Sequence, residues 1–241
     1  MRVYALIPAR SGSKGLPDKN VLEIDGHPLM AYSIAFAHKL AVDRVFVSTD
    51  SETYRAVALR YGAECPYLRG AKASADNGRE EDILADLAGN LPRVSVPIPD
   101  VWIWLKPVNP FRSLQSVQEA VKLLEERSDI DSVRIVSEAD PRLHRINDQG
   151  FLEPYGVGWD SQVSKMPRTK FPTVYQPYNL EVIRHQGWVE RGPLFMGERV
   201  APIVQAKITG FDIDDRDTFD IVKALIEMRP RPEVVARHIH M

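Results

Sequence analysis

The stretch Val3-Tyr-Ala-Leu-Ile-Pro-Ala-Arg-Ser-Gly-Ser-Lys-Gly-Leu-Pro-Asp-Lys-Asn20 decides how the rest of the chain is read. Val3 to Ile7 is a short apolar run closed by Pro8, the mark of a buried strand. Ala9 to Asn20 is rich in Gly, Ser and Lys and reads as a loop. A small-residue loop after the first strand of an α/β sheet lies at the sheet's carboxyl edge, where ligands bind. Gly12 and Gly15 let backbone N–H groups approach anion oxygens closely. Arg10, Lys14 and Lys19 add the charge and donor density that a triphosphate requires. The plainer alternative is a flexible basic surface loop. The spacing fits neither a Walker loop nor a dinucleotide fingerprint.

Outward from this stretch, strand and helix patterns alternate. Pro28 suits the first turn of a helix over Leu29–Leu40, and Arg44–Ser48 reads as a second buried strand. Ser51 and Glu52 open a helix to about Arg60, ended by Gly62. A helix over Glu80–Ala88 begins near Asn77, Val101–Leu105 is a strand, and Ser113 caps a helix from Leu114 to about Glu126. Ser132–Val136 is a further strand. This order predicts an α/β fold with parallel strands and helices on both faces. Residues 138–180 are rich in Pro, Gly and aromatics, with a hairpin turn at Gln149-Gly150, and read as an inserted β lobe within one 1–241 domain. The α/β pattern resumes at Leu180–Ile183 and Ala201–Val204, followed by a helix over Asp215–Met228 and a tail with two prolines, long enough to extend onto a partner.

Three further strings carry candidate chemistry. In Phe211-Asp-Ile-Asp-Asp215, Asp212 and Asp214 project to one side of an extended segment. Paired oxygen ligands suit Mg²⁺, though a solvated strand end has the same spacing. Asp215 reads as a helix cap. Asp50, closing Val47-Ser-Thr-Asp50, either reaches a ribose, base or metal, or caps the next helix. In Leu105-Lys-Pro-Val-Asn-Pro-Phe-Arg-Ser113, Lys106 and Arg112 either meet substrate charges or sit in a plain turn.

Composition bounds these readings. The 31 Lys and Arg against 33 Asp and Glu leave a net charge of −2, without the basic footprint of a nucleic-acid binder. Cys65 is the one cysteine, which excludes an internal disulfide and a cysteine metal cluster. No stretch approaches a membrane span, and the opening residues lack a signal peptide's pattern, so the expected setting is cytoplasmic. His144 lies beside Arg142 and Arg145 and reads as a surface histidine before a general base, while His238 and His240 read as solvated.

Taken together and in order, these strings resemble the CMP-sialic acid synthetases, the acylneuraminate cytidylyltransferases. The likeness runs from Ile7–Asn20 through Val47–Asp50, Arg69 and Lys106–Ser113 to Phe211–Asp215, most of the chain. It implies a Rossmann-like nucleotidyltransferase fold with a mixed, mostly parallel sheet and a small dimerisation lobe. It implies transfer of CMP from CTP to an acidic acceptor, with release of pyrophosphate. Arg10, Lys14 and Lys19 match catalytic cations. Ala9, Arg10, Ser11, Gly12, Lys14, Lys19, Asn20, Arg69 and Gly78 match nucleotide-binding positions. Asp212 and Asp214 match the Mg²⁺ ligands. Lys106, Arg142, Arg168 and Tyr178 match acceptor-side positions, and Arg142 and Arg168 would reach a neighbouring subunit of a homodimer.

The acceptor side departs from the family pattern. Leu-Gln-Pro-Thr-Ser-Pro becomes Leu105-Lys-Pro-Val-Asn-Pro110 and Asn-Gly-Ala-Ile-Tyr becomes Tyr178-Asn-Leu-Glu-Val182, while at the cytidine side Glu80 replaces a small residue. An added ammonium at Lys106 favours a more negative acceptor, and bulk at Tyr178 and Leu180 a smaller one. Both point to a compact phosphonate such as phosphonoformate, with a nonulosonic acid as the alternative. A catalytically inactive nucleotide-binding regulator and a sugar-1-phosphate nucleotidyltransferase using another base are the readings of different class.

Overall fold

The computed structural model describes residues 1–156, 165–186 and 195–228, with the side chains of Arg168, Tyr178 and Asn179 outside that description. The tail from Arg229, with His238 and His240, also lies outside it.

In chain order the elements are β1 (Val3–Pro8), the short strands β2 (Glu23–Ile24) and β3 (His27–Pro28), α1 (Leu29–Ala37), β4 (Arg44–Ser48) and α2 (Glu52–Arg60). Then come α3 (Ala71–Ser74), α4 (Glu80–Asn90), β5 (Val101–Leu105), α5 (Leu114–Glu126) and β6 (Ser132–Glu138). They are followed by β7 (His144–Ile146), β8 (Leu152–Pro154), β9 (Tyr175–Arg184), β10 (Val200–Gln205) and α6 (Arg216–Glu227). No helix among the described residues is long and apolar enough to cross a membrane.

The main sheet runs β10-β6-β9-β5-β1-β4. Strand β1 is parallel to β4 and β5, and β10 is parallel to β6. Only β9 runs against its neighbours, β5 and β6, which makes the sheet mixed. Strand β9 begins at Tyr175, earlier than the Leu180 of the sequence pattern, because residues 175–179 continue the pairing onto the end of β6. The preceding lobe is the β7–β8 hairpin, turned by Gly150 at φ 83°.

Strand β1 shows why the sheet is covered on both sides. Val3, Ala5 and Ile7 join one apolar cluster with α1, α2 and α5, while Tyr4 and Leu6 join another with Ile83, Leu84 and Leu87 of α4. Side chains alternate across a strand, so a run apolar at every position must be buried on both faces. A third cluster packs α6, through Phe219, Val222 and Ile226, against Leu29, Ile24 and Ile213.

Helix limits follow their caps. Ser51 accepts from the Tyr54 N–H at 3.3 Å, Ser113 from Ser116 at 3.3 Å and Asp215 from Thr218 at 2.8 Å, each worth about 1 kcal/mol. Helix α4 starts at Glu80, not near Asn77, because the Arg79 N–H donates to Asp82 at 3.1 Å. Helix α1 stops at Ala37, short of the expected Leu40.

Candidate active site

The carboxyl ends of β1 and β5 open onto a cavity of about 300 Å³. Arg10, Lys19 and Asn20 of the first loop border it, with Arg69, Gly78, Glu80, Trp104, Lys106, Asp212 and Asp214. Residues from five separate parts of the sequence therefore meet at one sheet edge.

The loop is held by its own polar residues. Asp50 accepts from the Ser11 N–H at 2.8 Å and from its hydroxyl at 3.0 Å. Asp50 is thus an anchor for the loop, and the capping role falls to Ser51. The buried Asn20 side chain donates to the Arg10 carbonyl at 3.1 Å. Gly12 sits at φ +68°, a backbone conformation suited to glycine. The Ala9 N–H donates to the Ser48 carbonyl at 2.9 Å, so in this structure it is spent on the sheet edge.

Asp76, which the sequence pattern does not single out, links two loop cations. Its Oδ1 lies 2.9 Å from Arg10 and its Oδ2 2.8 Å from Lys14. Hydrogen bonds from Lys14 and Arg10 hold its carboxyl below the usual range. Lys14 itself is exposed and does not border the cavity. Lys19 is largely buried and joins the two ends of the chain. Its ammonium donates to the Ile213 carbonyl at 2.9 Å and stands 3.4 Å from Asp214.

Asp212 and Asp214 flank Ile213, which is fully buried in the third cluster and donates its N–H to Val108 at 3.0 Å. With Ile213 turned inward, period-two geometry turns both carboxylates the other way, and both border the cavity. Two hard oxygen donors beside open space fit Mg²⁺, which keeps its remaining positions for water and phosphate.

Arg69 is buried and clamps β4 to α3. It donates to the Ser48 hydroxyl at 2.9 Å, to the Ser48 carbonyl and to the Ala73 carbonyl at 3.4 Å. Burial brings its guanidinium down to about 10, still cationic at neutral pH. Gly78 keeps its backbone close to Ala75, whose carbonyl would lie 2.9 Å from an added Cβ.

On the acceptor side the structure corrects the sequence reading. Lys106 is no surplus ammonium: its Nζ lies 2.5 Å from Glu80 Oε1. Burial pushes the Glu80 carboxyl up, but Lys106 outweighs it and leaves the carboxyl below its ordinary value. Arg112 turns away from the cavity, donating to Ser33 at 2.9 Å and to the Lys106 carbonyl, and burial lowers it to about 9. Arg142 lies away from the cavity of its own chain and pairs with Asp140 at 2.5 Å. His144 sits in β7, equally outside. Arg168 and Tyr178 are placed by backbone alone, in a 3-10 turn and in β9, and their side chains lie outside the described residues.

One buried charge has no counterpart in the sequence reading. Glu181 stands mid-strand in β9, 1% exposed, and accepts from Arg134 at 3.0 Å. The signal was present, since a carboxylate interrupts the apolar run Leu180-Glu-Val-Ile183.

Known proteins resemble this chain in sequence and in fold. An N-acylneuraminate cytidylyltransferase of Escherichia coli is 29% identical over 99% of this chain and 56% of its own. A CMP-N,N'-diacetyllegionaminic acid synthase of Legionella pneumophila is 36% identical over 51% of this chain and 53% of its own. The chain spans about half the length of the curated relatives it matches. Among solved structures, a CMP:2-keto-3-deoxy-manno-octonic acid synthetase complexed with CTP superposes with a TM-score of 0.67. At 15% identity, covering 94% of this chain and 98% of that one, it establishes a shared nucleotidyltransferase fold. The family model described as "Cytidylyltransferase" matches residues 4–153, which hold the cationic loop, Asp50, Arg69, Glu80 and Lys106, and the chain belongs to that family.

Proposed function

We propose that this chain transfers a cytidylyl group from CTP to a nonulosonic acid and releases pyrophosphate. The observation that carries this reading is the meeting of Arg10 and Lys19 with Asp212 and Asp214 around one cavity. The cations suit the phosphates of CTP, and Asp76 occupies Arg10 and its loop neighbour Lys14 in the way a phosphate would. The acceptor hydroxyl oxygen attacks the α-phosphorus and releases its proton to solvent, the bond from the α-phosphorus to the bridging oxygen breaks, and pyrophosphate departs with that oxygen. Arg10 and Lys19 orient the phosphates and offset their developing charge. Mg²⁺ held by Asp212 and Asp214 would supply further charge stabilisation on the phosphate oxygens. A reaction that draws on CTP belongs in the cytoplasm.

A nonulosonic acceptor is supported by the names of the relatives, which act on N-acylneuraminate and N,N'-diacetyllegionaminic acid. Of the two grounds for a phosphonate, Glu80 removes the uncompensated charge at Lys106, while the bulk at Tyr178 falls on a side chain outside the described residues. A homodimer through the inserted lobe is supported by Ile146, Phe151 and Leu152, all more than half exposed on or beside the β7–β8 hairpin. Apolar side chains gathered in this way favour a protein partner.

The test is to incubate the protein with CTP, Mg²⁺ and a panel of sialic acids, other nonulosonic acids and small phosphonates. Pyrophosphate release and product mass are the readouts. A CMP adduct with a nonulosonic acid is expected. An adduct formed only with a phosphonate would overturn the acceptor, and CTP binding without pyrophosphate release from any acceptor would leave a nucleotide-binding regulator.

A further inference from the structure

Near Lys106 and Glu80, a buried donor of the cavity wall and a buried acceptor on the neighbouring strand have no hydrogen-bond partner among the described residues. Trp104 of β5 borders the cavity and is fully buried, yet its indole Nε1–H has no hydrogen-bond partner among the described residues. Its cross-strand neighbour in β9 is Glu181, in the register pair Trp104↔Glu181. The two side chains rise from the same sheet face, because Trp102, Trp104 and Ile183 share one apolar cluster and Glu181 stands two residues from Ile183. Arg134 pairs with Glu181 from β6 and occupies Oε1, while Oε2 is buried without a hydrogen-bond partner among the described residues.

Leaving such groups unmatched is costly, so their pairing calls for an explanation. A phosphonate or carboxylate oxygen offers only acceptors and would meet Glu181 with repulsion. An ammonium offers only donors and would leave the Trp104 N–H unmatched. A hydroxyl both donates and accepts, and one hydroxyl satisfies both groups. Directly opposite positions of an antiparallel pair have Cβ atoms about 5 Å apart, within reach of one bridging oxygen.

We infer that Trp104 and Glu181 form a hydroxyl-reading pair that selects a polyhydroxylated acceptor, one hydroxyl accepting from Nε1–H and donating to Oε2. This rests on the cytidylyl-transfer reading above and sharpens it, because it names what part of the acceptor is read. Lys106 and Glu80, already paired, contribute polarity there without net charge.

The test combines protein and substrate deletions. Trp104→Phe keeps an aromatic ring and removes the N–H. Glu181→Met removes the acceptor, while Glu181→Gln keeps an acceptor oxygen. Each is assayed with sialic acid and with its singly deoxygenated analogues, varying acceptor and CTP in turn, after thermal melts establish folding. Trp104→Phe and Glu181→Met should lose about tenfold in kcat/KM for the acceptor, with the KM for CTP unchanged, and Glu181→Gln, which keeps one of the two acceptor oxygens, should lose less than Glu181→Met. For one deoxy analogue the wild type should show the same loss and the variants no further loss. Losses that multiply for every analogue would overturn the pair and assign it to an ordered water or to packing. If Glu181→Met does not fold, the Trp104→Phe cycle decides alone. Absence of any turnover with nonulosonic acids by the wild type would overturn the underlying reading, an outcome separate from multiplying losses.

Discussion

Lys106 and Glu80 form an ion pair at 2.5 Å across the cavity wall, one residue beyond the end of β5 and the other at the start of α4. Each departs from the family pattern when read alone, and the structure makes them one paired departure. Removing either partner leaves a charge facing the other substrate groups. Lys106→Gln should lower kcat/KM about tenfold through the stranded Glu80, and Glu80→Ser should relax acceptor discrimination. The double variant should recover most of the activity, with a coupling of ~1 kcal/mol for a partly exposed pair. A double-mutant cycle in steady-state kinetics checks this, and strictly additive losses would contradict it.

Asp76 pairs with Arg10 and Lys14, the loop cations that the proposed reaction would turn toward the triphosphate. Lys14→Ala and Arg10→Ala should each raise the KM for CTP about tenfold or more, since each deletes a charge-assisted hydrogen bond worth about 1.5–3 kcal/mol. Asp76→Asn should behave oppositely, leaving CTP binding equal or tighter, because it frees both donors. Calorimetric titration of CTP into the three variants distinguishes this from a loop in which Asp76 serves only order. Weaker binding by Asp76→Asn would favour the latter.

In the proposed reaction the Asp212/Asp214 pair would hold the Mg²⁺. Asp214 is well exposed and its side chain carries no core packing, so Asp214→Ala should melt like wild type while turnover falls by orders of magnitude. Excess chelator should abolish the wild-type reaction and added Mg²⁺ restore it. Undiminished pyrophosphate release in chelator would exclude this role for the pair.

Much of this was legible in the sequence because it is local. The strand Val3–Pro8, its cationic loop and the alternation of Asp212 and Asp214 about Ile213 follow from period-two geometry and residue type. The exceptions are all long-range pairings. Asp76 lies in a loop with no periodicity, and its role exists only because that loop folds back to Arg10. Asp50 shows the same limit, since cap and anchor are equivalent in sequence and the fold alone brings Ser11 to it. The antiparallel run of β9 is invisible to hydropathy, because a buried strand reads alike in both directions.

Glu181 gives a pH signature of that buried position. Burial above all holds its carboxyl above the ordinary range, against the pull of Lys106 and Arg134. The folded chain then binds more protons at this site than the unfolded chain. Its contribution to stability is therefore full at low pH and is lost as pH rises from about 4.3 toward the raised folded value. Glu181→Gln cannot lose that proton. Thermal melts between about pH 4 and 7 should show the wild type losing Tm relative to Glu181→Gln as pH rises. A gap that stays constant with pH would place the ionised carboxylate comfortably in its pair with Arg134.

Gly15 and Gly12 stand in the same loop and make opposite predictions. A Cβ on Gly15 would lie 2.5 Å from the Asp214 carbonyl oxygen, a backbone atom held beside the buried Ile213. Neither side yields cheaply, so Gly15→Ala must push the cationic loop away from the Asp212–Asp214 segment. Displacements of about 1 Å at a catalytic centre cost on the order of 100-fold in rate. A Cβ on Gly12 meets nothing within 4 Å, and the cost there is only the φ of +68°, roughly 1–2 kcal/mol of stability. Gly12→Ala should therefore lower Tm with kcat/KM nearly intact once folded. Gly15→Ala should lose kcat/KM and weaken the coupling between CTP and Mg²⁺ binding, since the loop and the carboxylate pair no longer meet. Measuring Tm, kcat/KM and CTP affinity with and without Mg²⁺ in both variants separates the two effects. If Gly15→Ala keeps wild-type turnover, the close approach of loop and metal segment is not what assembles the site.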